Sequence, residues 1–175
     1  MDKPQAVSLG LFVAWCINDA EELVTLADSS RLVAERAPAF LPLPEAFRRG
    51  GFSKKHIYHG IATMGALVGT ASLAGYITHG RSPLFRGALL AFGIHGYTHV
   101  ASSLAMRKYT SGVVTAALTT IPYWHWARCK LREVGLSDTD RSAVVVAALA
   151  WPSLLAVHMG TVLCLGDASF GEPRS

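Results

Sequence analysis

Four stretches of the chain hold no charged residue: 57–80, 87–106, 109–127 and 142–166. Each is about 19–25 residues long, the length a helix needs to cross roughly 30 Å of hydrocarbon. A fifth apolar run, 4–18, is shorter and reaches 27 only by taking in Asp19, Glu21 and Glu22. The runs are rich in Ala, Leu and Gly and lack the period-two alternation of a half-buried strand, so they predict helices. The expected fold is all-α: an integral membrane helical bundle of about five transmembrane helices, over 5–27, 56–78, 83–108, 111–131 and 140–165. A soluble bundle is the competing architecture, but core helices of soluble proteins usually carry a charged stripe.

Between these segments the pattern turns polar. Residues 28–55 read as a long connection with Pro38, Pro42, Pro44, Gly50, Gly51 and the basic pairs Arg48-Arg49 and Lys54-Lys55. Short interfacial helices are expected near 31–36 and 44–49. The run Ser137-Asp138-Thr139-Asp140 predicts an N-cap for the last helix. Residues 167–175 read as a polar tail. Gly65-x-x-x-Gly69 and Ala71-x-x-x-Gly75 place small residues at helical spacing, which lets neighbouring helices approach closely. Pro122 and Pro152 fall inside their runs, where kinks are tolerable if neighbouring helices or waters satisfy the freed carbonyls. The N-terminal run lacks an A-x-A site, so no cleaved signal is expected.

Composition narrows the class. Charged residues make up 16% of the chain and hydrophobic ones 51%, with a mean hydropathy of +0.32, which excludes disorder and fits one helical membrane domain over 1–175. Cys16, Cys129 and Cys164 form no CxxC pair and no disulfide framework. The net charge of +4 is modest, and no basic helix with interleaved aromatics points to nucleic acid. Gly-rich nucleotide loops, GxSxG and HExxH are absent. Five spans would put seven Lys and Arg on the N-terminal side and nine on the other, so the 48–55 loop leans towards the cytoplasm. The expected location is the plasma (inner) membrane of a bacterium.

An ionisable group inside a membrane helix costs roughly 2.5–3.5 kcal/mol, so each one calls for a reason. Asn18, Glu21 and Glu22 share an arc of about 100° on the first helix, with Asp19 at its edge. Carboxyls this close favour one holding a proton, as a general acid or proton carrier does. The bland alternative is that the first helix ends near Asn18 and the acids are solvated. His95 and His99 stand at i and i+4 on the third helix, spacing that suits two ligands of one metal or a base and its orienting partner. Such a pair is also common as core filler. His56, His59, His79, His125 and His158 are single, with His158 deep in an apolar run.

Together these residues resemble the HxxEE integral membrane domain family. Its first-helix motif reads Asn18-Asp19-Ala20-Glu21-Glu22 here, its later histidine matches His99, and its Y-x-P-G motif reads Tyr109-Thr110-Ser111-Gly112. Asn18 stands for the motif histidine and Ser111 for the proline. An Asn can hydrogen-bond a carboxylate but cannot take up a proton or ligate well, which counts against a metal built on the first motif. Thr110 or Ser111 is expected to cap the fourth helix. The resemblance implies an integral membrane protein and supplies no reaction.

The expected function is a small membrane enzyme using carboxylate–histidine acid–base chemistry on a lipophilic small molecule, of isomerase, cyclase or hydrolase type. Glu21, Glu22, His99, His95, Asn18 and Asp19 form its centre; Tyr97, Tyr109, Trp124, His125, His158 and Trp15 line the substrate. No cofactor is favoured. The first alternative is a divalent metal on Glu21, Glu22, His95 and His99; the second is a proton- or cation-conducting or partner-binding protein. Expected partners are the lipophilic substrate and membrane lipid, not nucleic acid, and a homo-oligomer is left open.

Overall fold

Asp2 starts the first helix with a capping box: its carboxylate accepts from the Gln5 N–H at 2.8 Å, and the Gln5 side chain accepts from the Asp2 N–H at 3.0 Å. In the computed structural model, which describes residues 1–41 and 43–172, this helix, α1, runs over Lys3–Arg36. It passes straight through Asp28-Ser29-Ser30, where the sequence suggests a connection. The two serines do not stop it because they serve the bundle: Ser29 Oγ accepts from the Ser111 N–H at 2.7 Å and Ser30 Oγ from the Phe52 N–H at 2.9 Å. The interfacial helix expected near 31–36 is therefore the end of α1, while the one near 44–49 forms as α2, Glu45–Gly50. Pro42 and Arg174 lie outside the described residues.

The other helices follow the apolar runs: α3, Lys54–Ile77; α4, Pro83–Met106; α5, Val113–Thr115, leading through a π-helical turn at Ala116–Thr120 into α6, Ile121–Arg132; and α7, Arg141–Leu165. The π turn precedes Pro122, which has no N–H and would crowd the carbonyl four residues back in a regular helix. Asp140 caps α7 by accepting from the Ala143 N–H at 2.9 Å, as its sequence position suggests. Arg86 holds that corner through an ion pair with Asp140 and a hydrogen bond to the Ser137 carbonyl at 3.0 Å.

The core is built by Val7, Leu11 and Ala14 of α1, Phe85, Leu89 and Phe92 of α4, Trp124, Ala127 and Leu131 of α6, and Ala147 of α7. The α3 glycines seat aromatic rings of α1: a Cβ at Gly65 would come within 2.8 Å of the Trp15 ring, and one at Gly69 within 3.5 Å of Phe12. The chain end is not a loose polar tail over its described part. A 3-10 turn at Gly166–Ser169 is stitched to the α2–α3 loop, with Ser53 donating from N–H to the Ser169 carbonyl at 2.9 Å and Gly171 to that of Gly51 at 3.1 Å.

The fold is all-α, without a strand among the described residues. Two helices, Lys54–Ile77 and Arg141–Ser169, are long and apolar enough to cross a membrane. The polar groups of the site described next sit on α1, α4 and the 113–132 segment, which makes those helices less uniformly apolar.

Candidate functional site

The first-helix motif splits its two glutamates between different tasks. Glu22 points into the bundle and is buried; its Oε1 lies 3.0 Å from His99 Nε2 and 3.7 Å from His95 Nε2. The two imidazole Nε2 atoms are themselves 2.8 Å apart. Glu21 turns the other way. Its Oε2 accepts from the Thr115 N–H at 2.7 Å and hydroxyl at 2.6 Å, and its Oε1 from the Tyr109 hydroxyl at 2.5 Å and the Val114 N–H at 3.3 Å. A carboxylate from α1 thus caps the start of α5. Gly112 holds the N-cap position with φ +79°, and neither Thr110 nor Ser111 caps with its side chain.

Asn18 is fully buried and links the two groups. Its amide Nδ2 donates to Glu22 Oε1 at 3.0 Å, while its Oδ1 accepts from the Thr120 hydroxyl at 3.2 Å and lies 3.2 Å from that of Thr115, whose one hydrogen is directed at Glu21. The Thr120 hydroxyl fixes which end of the amide faces Glu22. Thr120 belongs to the π turn, an element often found where a helix is reshaped around a site. Asp19 is buried one position along, beside Glu22.

The Tyr109–Gly112 segment clamps both ends of this arrangement. The Ser111 carbonyl lies 2.7 Å from His99 Nδ1; a carbonyl only accepts, so Nδ1 carries the hydrogen. His99 Nε2 then presents a lone pair to its neighbours unless the ring is an imidazolium. Gly112 lies under the His99 ring, where a Cβ would come within 2.5 Å of the ring carbon. Burial, and the Glu21 carboxylate that accepts its hydrogen, push the Tyr109 phenol above its ordinary value.

Of the other residues expected to line the substrate, Tyr97, His125, Trp124 and Trp15 make their contacts away from this centre. The Tyr97 hydroxyl shares a hydrogen bond with His125 Nε2 at 2.9 Å on the outer face. Trp124 is buried in the core, its indole N–H donating to Asp138 at 3.0 Å with the Arg128 guanidinium 4.5 Å above the ring. Trp15 packs on Gly65. His158 pairs with the buried His56 at 2.8 Å beneath the ring of Phe52. The sequence pattern does not single out Thr115, Thr120, Ser29 or the Ser111 carbonyl. Of these only Ser111 sits within a motif, because main-chain acceptors and lone hydroxyls leave no residue pattern.

The chain belongs to the family described as proteins of unknown function with an HXXEE motif, which matches residues 9–127. No curated protein and no solved structure matches the chain.

Proposed function

We propose that this chain is a small integral membrane enzyme that performs proton-transfer chemistry on a lipophilic small molecule. The observation that carries this reading is the convergence of Glu22, His95 and His99 on one buried spot among apolar helices, with Asp19 beside them. Burying such groups costs stability, and a site that holds them together is where function is expected. Glu22 and Asp19 are the proton carriers, and His99 is the partner that faces Glu22. Isomerisation, cyclisation or hydrolytic opening requires no more than such groups. The His95 side chain is the least buried of the three, 33% exposed against 11% for Glu22, so substrate reaches the centre past His95.

The membrane reading includes all five long helical segments: α1, α3, α4, α5–α6 and α7. Its support is the outer surface, where Leu67, Leu73 and Ile77 of α3 and Leu149, Leu155 and Leu163 of α7 point away from the bundle. Monomeric soluble proteins rarely expose apolar faces of that extent. The Arg48–Lys55 loop faces the cytoplasm of a bacterial cell in this reading.

The test compares membrane extracts of cells producing the wild-type chain or Glu22→Gln at matched protein levels. Mass spectrometry is expected to find an apolar compound converted by the wild type and left unconverted by the variant. Identical profiles across substrate-fed cultures would overturn the proposal.

A further inference from the structure

Two partners compete for one ring nitrogen at the centre. Glu22 Oε1, His95 Nε2 and His99 Nε2 converge with their ligand atoms within 4.8 Å of one another. With His99 Nδ1 donating to Ser111, the His99 Nε2 has at most one hydrogen, and only in the charged ring. That one position, hydrogen or lone pair, faces two partners, His95 Nε2 at 2.8 Å and Glu22 Oε1 at 3.0 Å. His95 Nε2 and Glu22 Oε1 are 3.7 Å apart, beyond hydrogen-bond reach. The single position on His99 Nε2 satisfies one of its two close partners and leaves the other contact unpaired.

We infer that Glu22, His95 and His99 bind one divalent transition-metal ion, which Ser111 and Asn18 prepare by orienting His99 and Glu22. The inference rests on reading these three residues as one reactive centre. Sides of 2.8, 3.0 and 3.7 Å describe a triangle small enough to be shared. Its circumscribed circle has a radius of about 1.9 Å, so an ion at the usual distance of about 2.1 Å sits equally far from all three atoms, just off their plane. The outer partners have the form expected around a metal-bound histidine and carboxylate: a carbonyl takes the far ring N–H of His99, and an amide N–H holds Glu22.

Charge supports the same assignment. Glu22 and Asp19 are buried side by side, and among the described residues no Lys or Arg pairs with either. A divalent ion offsets the buried charge of Glu22. Two imidazoles and one carboxylate suit zinc, iron(II), cobalt(II) or manganese(II) better than calcium or magnesium. Three protein ligands leave positions open for water or substrate, as sites that do chemistry require. With Glu22 holding the ion, Asp19 is the carboxyl left to carry protons.

The full chain, purified in detergent and stripped with chelator, is loaded with cobalt(II) or copper(II). Wild type is expected to take up about one ion per chain, with cobalt visible absorption of low-coordinate nitrogen and oxygen ligation. Glu22→Gln and His99→Gln abolish the uptake, whereas Glu21→Gln retains it. Pulsed EPR of the copper-loaded wild type needs no variant and is expected to show the remote nitrogens of two imidazoles. No uptake above that of Glu22→Gln, or bound copper without imidazole coupling, overturns the inference. If no ion binds but Glu22-dependent conversion persists, the enzyme reading stands and the metal falls. A bound ion with no compound converted leaves the metal site standing and removes the enzyme.

Discussion

Glu21 and Thr115 are joined twice, the Glu21 carboxylate accepting from both the backbone N–H and the hydroxyl of Thr115 at 2.7 and 2.6 Å. Together with the bonds from Val114 and Tyr109, this makes Glu21 the cap that starts the helix after the 109–112 turn. Glu21→Ala is therefore expected to lower stability by about 2–3 kcal/mol, since helix-end donors lose a charged acceptor. Tyr109→Phe removes one bond and should cost about 1 kcal/mol. Equilibrium unfolding in mixed micelles measures both. A Glu21→Ala chain as stable as wild type would refute the capping role.

Gly112 is fixed by two demands, a φ of +79° and the His99 ring lying where a Cβ would go. Gly135 shares the first demand, with φ +74°, but has open space around it. Ala at 135 should cost about 1 kcal/mol from backbone strain alone. Ala at 112 adds the displacement of His99, so it should lose more stability and also weaken cobalt uptake. Equal losses at the two positions, with cobalt binding untouched, would show that Gly112 has no part in placing His99.

Glu21 and Gly112 also show what the sequence can and cannot reveal. The helices are legible because long charge-free runs have few ways to fold, and the Glu22–His99 proximity follows from the motif spacing and the resemblance. The roles of Glu21 and Glu22 are not separable, because adjacent residues about 100° apart on one helix can face different neighbours and only packing decides which. The extension of α1 to Arg36 is hidden for a related reason. Asp28-Ser29-Ser30 looks like a helix stop, yet Ser29 and Ser30 take N–H groups from distant loops. The π turn is invisible beyond the hint of Pro122.

Asn18 offers a test of how the family's histidine is replaced. Its side chain gives Glu22 a hydrogen and takes one from Thr120. Asn18→Leu removes both bonds within a buried space, and metal affinity is expected to fall by about 10–100-fold. Asn18→His restores the motif residue and a donor to Glu22, so its affinity should stay within about tenfold of wild type. Isothermal titration with zinc measures both. Undiminished affinity in Asn18→Leu would remove Asn18 from the site.

Glu133 lies 2.6 Å from Lys130 Nζ and 2.8 Å from Lys3 Nζ, tying the end of α6 to the start of α1. The two ammonium groups hold its carboxyl at about 2, down from its ordinary 4.5. The unfolded chain therefore binds a proton more readily there than the folded one, so stability rises with pH across this interval. The contribution is fully present above about pH 4.5 and is lost as pH falls towards 2. Because the bridge is exposed to water, its contribution is small and salt screens it. Glu133→Gln should melt slightly below wild type at neutral pH in low salt, and the gap should close on acidification through that window or on raising the ionic strength. The Asp2 carboxyl, lowered by His79 in the same region, titrates alike in both proteins and cancels from the comparison. A gap that ignores both pH and salt would mean that Glu133 stabilises this end by packing and not by charge.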